Sequence, residues 1–290
     1  HNHGGRFIRE HPRQRDNAYN DRNPVWLCAG IETDSPHGRV IEWTQPEIVL
    51  YDDDPFLRMS YPDLLEDGGA LYLTETQKDK GRVHEVDAEF LAKLKGQFET
   101  RAVARDGLLV EIESPGPTET DAPEMPIFLE RDSGRHDYGT RDLRAGFTLE
   151  LSVRLESPNA GLVLLDNRME NGKGFCVRID QHGTLEILLN DGRSESAWAC
   201  DPDLLKPGEA HHIGVVVDGG PKVITFTVDG ALCDGGEFRQ FGWGRYNPNL
   251  RDVNGGEKLR TGKGVTLVRI YGRSLMTSEL IGNRIAGEVV

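Results

Sequence analysis

The sequence predicts an all-β protein built from two units. Its 290 residues include 34 glycines and 15 prolines, a turn-rich composition that suits many short strands better than long helices. Beyond about residue 145, apolar and polar residues alternate in most segments, as in strands with one face on a core. A proline-rich segment separates this half from an N-terminal half with shorter apolar runs.

The charge of the chain limits its partners. The formal net charge is −14, from 48 acidic and 34 basic side chains. Such a field repels phosphate backbones and anionic lipids, so we expect no nucleic-acid partner. An acidic substrate would require a local group of arginines that opposes the overall field. The sequence contains no apolar run of about 18 residues, which predicts no membrane span.

The N-terminal half starts with a polar segment, residues 1–21, that has no helical or strand period. Short apolar runs bounded by Gly, Pro and Asp then predict strands at Val25–Ala29, Ile48–Tyr51, Leu71–Thr74 and Leu108–Ile112. One helix is predicted over Asp87–Phe98, because its apolar residues share one face and Asp87 can cap its start.

Residues 116–126 are predicted to be a semi-rigid linker, since this segment and the two residues before it contain four prolines and no apolar period. Beyond it, at least seven alternating segments joined by Gly-containing turns predict an antiparallel sandwich over residues 127–290. The predicted domains are therefore residues 1–115, the linker 116–126, and residues 127–290.

Two segments of the C-terminal half resemble the laminin-G/concanavalin-like superfamily. His211–Leu232 contains His-His-Ile-Gly-Val-Val-Val-Asp-Gly and Phe-Thr-Val-Asp-Gly-Ala-Leu, which are similar to the paired central strands of that superfamily. Val268–Ile281 resembles its last strand and short closing helix. The resemblance implies a jelly-roll sandwich and an accessory role in recognising a glycan, although members also bind proteins or calcium.

Two kinds of candidate site fall in this sandwich. Trp198, Trp243 and Tyr246 offer flat faces for stacking on sugar rings, while burial of the two tryptophans in the core or a domain interface is the structural alternative that we favour. Asp166, Asn167 and Asp180 offer oxygen ligands for calcium, and so does the run at residues 52–54, although such residues are also typical of turns. We expect no other cofactor.

Three residues of the N-terminal half form an ordered set. Arg22 precedes a Trp-containing strand, Tyr61 lies in Ser-Tyr-Pro-Asp-Leu, and Glu75 ends the strand that follows a Gly-Gly turn. Over residues 22–76 this order resembles the closing blades of a sialidase-type β-propeller. The aspartate box of that family is present only in a stretched form at Thr33–Trp43, and Pro62 replaces the usual small residue.

The resemblance implies a function for each of these residues. Sialidases are glycosidases with a tyrosine nucleophile, so Tyr61 would be the nucleophile and Arg22 would bind a substrate carboxylate. Glu75 would orient an arginine of the carboxylate clamp. A propeller needs four to eight four-stranded blades, which about 115 residues cannot supply. Residues 1–115 are therefore predicted to be the partial, C-terminal blades of a longer propeller, with exposed apolar side chains at Val25, Leu27, Ile48 and Leu71.

The remaining metal and thiol candidates have simpler interpretations. His1, His3 and His11 include a His-x-His spacing but have no placed carboxylate or Cys partner, so we predict no metal site there. The four cysteines lack paired zinc spacing, and we interpret them as buried free thiols. A disulfide between Cys200 and Cys233 stays open for an exported protein.

Two hypotheses for the function follow. The first is a sialidase-like glycoside hydrolase acting on an acidic or decorated glycan, with an accessory glycan-recognition sandwich. The second is a non-catalytic carbohydrate-binding protein. In both, the partner is a glycan or polysaccharide and the protein is expected to be secreted or periplasmic.

Overall fold

The computed structural model describes residue 10 and residues 22–77, 79–113, 116–137 and 139–288. It contains two compact units. Unit 1 comprises His1–Val103 and Met276–Val290, and unit 2 comprises Ala104–Leu275. Within the described residues, no helix is both long enough and apolar enough to cross a bilayer.

The described residues of unit 1 form seven short strands and two helices. Its strands are β1 (Val25–Leu27), β2 (Gly30–Ser35), β3 (Gly38–Trp43), β4 (Glu47–Leu50), β5 (Ser60–Asp67), β6 (Ala70–Gln77) and β7 (Lys80–Val86). They form the antiparallel pairs β1–β4 and β2–β3 and the three-stranded sheet β5–β6–β7. In the described part of unit 1, no sheet has the four strands of a propeller blade.

The predicted helix is confirmed. Helix α1 (Ala88–Lys95) is followed by a 3-10 turn at Gly96–Phe98, and the Asp87 side chain accepts a hydrogen bond of 2.8 Å from the Phe90 N–H. This bond satisfies one of the free amide groups of the first turn. Leu94 is fully buried, as the apolar face predicts.

Unit 1 exposes much apolar surface, but not at the predicted residues. Val25, Leu27, Ile48 and Leu71 are all half-buried, because each lies on a paired strand. The large apolar side chains that are exposed in this unit lie mostly on the β2–β3 and β5–β6 hairpins: Ile31, Val40, Ile41, Trp43, Phe56, Tyr61, Leu64, Leu65 and Val83.

Unit 2 is an antiparallel sandwich. Its strands are β8 (Leu108–Glu113), β9 (Glu119–Asp121), β10 (Leu129–Arg131), β11 (Thr140–Asp142), β12 (Phe147–Arg154), β13 (Val163–Asp166), β14 (Gly174–Ile179), β15 (Leu185–Asn190), β16 (Glu195–Ala199), β17 (Ala210–Asp218), β18 (Val223–Val228), β19 (Ala231–Leu232), β20 (Gly244–Arg245), β21 (Lys258–Thr261) and β22 (Val265–Tyr271). A seven-stranded sheet has the order β19-β18-β17-β12-β22-β8, with β20 also paired to β18. A six-stranded sheet has the order β16-β15-β14-β13-β21-β9.

The core lies between these two sheets. In the central strand β12, Phe147, Leu149 and Leu151 are fully buried and belong to the core cluster. The six-stranded sheet contributes Phe175 and Ile187 to the same cluster. This alternation of inward residues confirms the predicted all-β sandwich.

The boundary between the two units differs from the predicted one. Strand β8 pairs with β22 and so lies in the same sheet as β12, although the sequence analysis assigned Leu108–Glu113 to the N-terminal domain. Val110 and Ile112 pack against the sandwich core, and this burial holds the strand there. Likewise, residues 116–126 do not form a free linker, because β9 pairs with β21 and Met125 is buried in the core.

The closing helix also lies in another unit than predicted. Helix α2 (Thr277–Glu288) belongs to unit 1, although the sequence analysis placed it in the C-terminal domain. The buried carboxylate of Glu47 accepts hydrogen bonds from the backbone N–H groups of Thr277 at 3.0 Å and Ser278 at 2.7 Å. Glu47 thus caps the N-terminus of α2 from a distant strand.

Candidate functional site

The structure brings Arg22 next to the segment that carries Tyr61. Asn23 is fully buried, and its side-chain amide donates to the carbonyl groups of Asp52 at 2.8 Å and Asp54 at 2.9 Å. These bonds hold the chain before β1 in place. Arg22 then donates from Nη1 to Ser60 Oγ at 3.0 Å, and its carbonyl accepts from the Met59 N–H at 3.4 Å.

Tyr61 follows Ser60 and is presented to solvent by an unusual backbone. The register of β5 against β6 shifts between Ser60 and Asp63, which places Tyr61 in a β-bulge. Its φ is 54°, in the left-handed region, and its side chain is 78% exposed. A bulky residue before a proline is disfavoured in that region of φ. The backbone at Tyr61 is therefore strained, and the surrounding structure has to hold it in this conformation.

Glu75 is buried and binds Arg82. It is 1% exposed, lies opposite Arg82 in the β6–β7 register, and accepts a hydrogen bond from Arg82 Nε at Oε1. Arg82 also binds Asp52 Oδ2 at 3.2 Å, and His84 Nε2 lies 3.5 Å from Glu75 Oε1. Hydrogen bonding to Glu75 raises the pKa of Arg82.

This ion cluster was not found by sequence reasoning. The register of the β6–β7 hairpin contained the signal, because pairing of Gln77 with Lys80 places Glu75 opposite Arg82. Glu75 Oε2, Arg82 Nη2 and His84 Nε2 are buried without a hydrogen-bond partner in the described residues. The cluster therefore has unused hydrogen-bonding capacity inside unit 1.

Two of the three aromatic candidates of unit 2, Trp198 and Tyr246, pack inside the protein. Trp198 packs against the core, donates from Nε1 to the Gly242 carbonyl at 3.0 Å, and is covered by the Arg239 guanidinium, 4.7 Å from the ring centroid. Tyr246 is 3% exposed and lies 5.6 Å from the Phe128 ring, so it cannot stack on a ligand.

Trp243 differs from these two residues because it is half-buried and lies on a loop of unit 2. Its ring stacks on Phe241 at 4.8 Å, and the Arg245 guanidinium lies 5.4 Å from its centroid. Part of the Trp243 side chain is therefore accessible to solvent, although Phe241 and Arg245 already pack against its ring.

The oxygens of the calcium candidates are engaged by the protein. Asp166 forms a two-bond ion pair with Arg168, with both N–O distances 3.0 Å. Asn167 Oδ1 accepts a hydrogen bond from the Phe175 N–H at 2.7 Å. Asp180 Oδ1 accepts hydrogen bonds from the backbone N–H groups of its own turn. In the 52–54 segment, carboxylates accept from backbone N–H groups of the same turn. Within the described residues, no three His, Cys, Asp or Glu side chains are grouped as a metal site would require. His1, His3 and His11 lie outside those residues.

The thiols are not all buried. Cys28 is exposed, while Cys176, Cys200 and Cys233 are buried, and all four are free. The sulfur atoms of Cys200 and Cys233 lie 3.4 Å apart.

The sandwich geometry agrees with one sequence family. A laminin-G-type model of the concanavalin A-like lectin/glucanases superfamily matches residues 133–280, just over half of the chain. The chain belongs to this superfamily. No curated protein matches it in sequence.

Several solved structures are similar to the chain at low sequence identity. The carbohydrate-binding module CBM40 of Ruminococcus gnavus IT-sialidase, bound to α2,3-sialyllactose, is 17% identical, with a TM-score of 0.41, over 60% of this chain and 97% of that one. Leech intramolecular trans-sialidase is 16% identical over 63% of this chain and 28% of that one, with a TM-score of 0.41. Trypanosoma rangeli sialidase is 14% identical over 90% of this chain and 53% of that one, with a TM-score of 0.39.

The lectin-like sandwich also contains a buried charge network on the outer face of its seven-stranded sheet. Glu150, fully buried, accepts from Arg269 Nη1 at 2.8 Å and Tyr271 Oη at 3.2 Å, and its Oε1 lies 2.9 Å from His212 Nε2. Arg269 Nε donates to Glu111 Oε1 at 2.7 Å. The charges of Glu150, Arg269 and Glu111 are paired, so the network fixes strand positions, while His212 Nδ1 is buried without a hydrogen-bond partner in the described residues.

Proposed function

We propose that the chain recognises glycans and forms part of a glycoside hydrolase of the sialidase-like type. The observation that carries this proposal is the hydrogen bond from Arg22 to Ser60, directly before the exposed and strained Tyr61. Strained backbone conformations persist where the surrounding structure enforces them, and they are concentrated at functional sites. Membership of a superfamily of lectins and glucanases is consistent with a glycan as the ligand.

The residue types suit an acidic sugar. When a carboxylate lies beside the anomeric carbon, it repels an anionic nucleophile, whereas a neutral phenol that loses its proton during attack avoids this cost. The Tyr61 oxygen would form a bond to the anomeric carbon as the glycosidic bond breaks, a base would take the phenolic proton, and the leaving oxygen would take up a proton to depart as an alcohol. Water would then release the sugar from Tyr61. The Arg22 guanidinium would hold the substrate carboxylate through two N–H groups.

The enzymatic proposal is tested with the protein expressed from its complete reading frame. Hydrolysis of 4-methylumbelliferyl sialoside and of uronide analogues is measured for the wild type and for Tyr61→Phe. We expect Tyr61→Phe to lower kcat by several orders of magnitude, because the covalent step loses its nucleophile. Tyr72→Phe, on the neighbouring strand β6, is the matched control and should keep the wild-type rate.

Arg22→Ala supplies a second measurement. Loss of a carboxylate ligand should raise KM and lower kcat together, while Arg39→Ala on the β2–β3 hairpin should change neither. If Tyr61→Phe hydrolyses the substrate at the wild-type rate, the assignment of Tyr61 as nucleophile is wrong.

A non-catalytic carbohydrate-binding protein is the second candidate, and one observation favours it. Within the described residues, no carboxylate is hydrogen-bonded to the Tyr61 phenol, while Glu75 is bound to Arg82. A tyrosine nucleophile needs such a base. Binding of a glycan without turnover of any glycoside by the complete protein would select this candidate.

We also propose that the protein is secreted or periplasmic, since its proposed glycan ligand is a polymeric or surface molecule. Fractionation of the source cells tests this localisation. Recovery in the cytoplasmic fraction alone would contradict it.

A further inference from the structure

Two arginines that line a cleft in unit 2 differ from the other arginines of that unit in the partners of their side chains. The cleft has a volume of about 310 Å³, and its polar lining includes Asp191, Arg193, Ser194, Asn247, Asn249 and Arg251. Arg193 lies in the turn between β15 and β16, and Arg251 lies in the loop before β21. Both arginines are exposed.

Within the described residues, these two guanidinium groups have no hydrogen-bond or ion-pair partner. Among the described residues of unit 2, every other arginine has a partner for its side chain or takes part in a further polar interaction, as Arg168 does with Asp166, Arg178 with Glu186 and Arg260 with Glu119. Arg193 and Arg251 donate only through their backbone N–H groups. In a chain with a net charge of −14, two unpaired arginines lining one cleft form a local positive site.

Asp191 holds the two loops together without neutralising either arginine side chain. Its Oδ1 accepts from the N–H groups of Arg193 at 2.9 Å and Ser194 at 2.8 Å, and its Oδ2 accepts from the N–H of Arg251 at 3.1 Å. Burial alone raises the pKa of Asp191, but these backbone hydrogen bonds outweigh it, and the pKa is lowered. The aspartate therefore stays charged and fixes both arginine-bearing segments.

The remaining lining adds neutral donors. The Asn247 Oδ1 accepts from the Asn249 N–H at 2.9 Å, which leaves the amide nitrogen of Asn247 available to a ligand. The cleft therefore presents charged and neutral N–H donors with few open acceptors. This is the complement of an oxyanion attached to a hydroxyl-bearing ring.

We propose that this cleft is a binding subsite for the oxyanion substituent, carboxylate or sulfate, of an acidic glycan, with Arg193 and Arg251 as its ligands. The subsite rests on the proposed glycan recognition and deepens it, because it names the chemical class of the ligand and the residues that bind it. It lies in the sandwich, whereas Arg22 and Tyr61 belong to unit 1.

The test compares ligands that share one core. Binding of the full chain to 3′-sialyllactose, 3′-sulfolactose, trigalacturonate and uncharged lactose is measured by calorimetry at low and physiological salt. We expect at least one acidic ligand to bind more tightly than lactose, and we expect its affinity to fall as the salt concentration rises. The ligand that binds distinguishes a carboxylate from a sulfate.

Variants then locate the site. Arg193→Ala and Arg251→Ala should each raise the Kd for the acidic ligand by roughly tenfold to a hundredfold, as expected for loss of a charge-assisted hydrogen bond. Arg260→Ala removes an equally exposed arginine of the same unit that is already paired with Glu119, and it should leave Kd unchanged. Circular dichroism of each variant verifies that the fold is retained.

The possible failures are distinguishable. If an acidic glycan binds and the Arg193 and Arg251 variants bind it as the wild type does, the cleft is not the subsite, while glycan recognition stands. If only neutral glycans bind, the oxyanion subsite is overturned and recognition again stands. If no glycan binds, both the subsite and the proposed recognition fail.

Discussion

At the scale of single residues, local backbone preference and structure conflict at Tyr61. A tyrosine before Pro62 favours an extended backbone, yet its φ is 54° and its side chain is exposed, so burial does not compensate for the strain. This combination agrees with the proposed use of the phenol.

Replacement of Tyr61 by asparagine should stabilise unit 1. Asparagine tolerates the left-handed region, so we expect Tyr61→Asn to raise the free energy of unfolding by roughly 1 kcal/mol. Chemical denaturation measures the change, and Tyr61→Phe, which keeps the strain, is the control that should stay near the wild-type value. A less stable Tyr61→Asn variant would show that the side chain of Tyr61 contributes packing that its exposure does not indicate.

At the scale of secondary-structure elements, long-range side-chain contacts fix where each element lies. Helix α2 has its N-terminal amide groups bound by Glu47, which comes from β4. Burial raises the pKa of Glu47 to about 7, although the bonds from Ser278 and Thr277 oppose this shift. The stability of α2 is thereby coupled to pH.

The sign of this coupling gives a prediction. Between the ordinary pKa of 4.5 and about 7, folded Glu47 keeps a proton that the unfolded chain has lost. The free energy of unfolding should therefore fall as pH rises through this window, by at most about 3 kcal/mol. Glu47→Gln stays neutral and should remove most of the pH dependence.

Hydrogen exchange of the α2 amides between pH 5 and 8, corrected for intrinsic rates, measures this effect. The exposed Glu42→Gln variant is the matched control and should behave as the wild type does. Protection of α2 that increases with pH in the wild type would contradict the expected protonation of Glu47.

At the scale of the whole molecule, the two sheets of unit 2 approach each other through a pair of thiols. Cys200 follows β16 of the six-stranded sheet, and Cys233 follows β19 of the seven-stranded sheet, with the sulfur atoms 3.4 Å apart. Hydrogen bonding to Cys233 and burial raise the pKa of Cys200, so the thiolate is scarce in the folded chain. Exchange with an external disulfide is therefore expected to be slow once the sandwich has formed.

Refolding in oxidised glutathione should join Cys200 to Cys233. The two thiols lose two protons and two electrons, and glutathione disulfide is reduced to two thiols. Closing a loop between residues 33 positions apart should stabilise unit 2 by roughly 3 to 4 kcal/mol. Non-reducing peptide mapping and thermal unfolding measure the bond and its effect.

Cys200→Ala should abolish both the disulfide and the increase in stability. Cys176→Ala, which also removes a buried thiol, should abolish neither. Failure of the wild type to form the bond during oxidative refolding would show that the sulfur atoms cannot reach bonding geometry.

The sequence by itself determined the features that depend on local pattern. Alternation along segments such as Phe147–Arg154 predicted the sandwich, because a strand places successive side chains on opposite faces. The apolar face and cap of α1 were likewise predicted, since both lie within a few residues along the chain. Arg22 and Tyr61 were selected as candidate site residues from their order in a family pattern, and their roles stay a prediction.

Only the tertiary structure decided which segments belong together. Strand β8 and helix α2 lie in other units than predicted, because their partners, β22 and Glu47, are distant in sequence. The cleft of Arg193 and Arg251 was invisible for the same reason, and the structure turned the Cys200–Cys233 pair from an open possibility into two sulfur atoms 3.4 Å apart. Periodicity records which face of an element is buried, whereas the partner that buries it is chosen by packing over the whole chain.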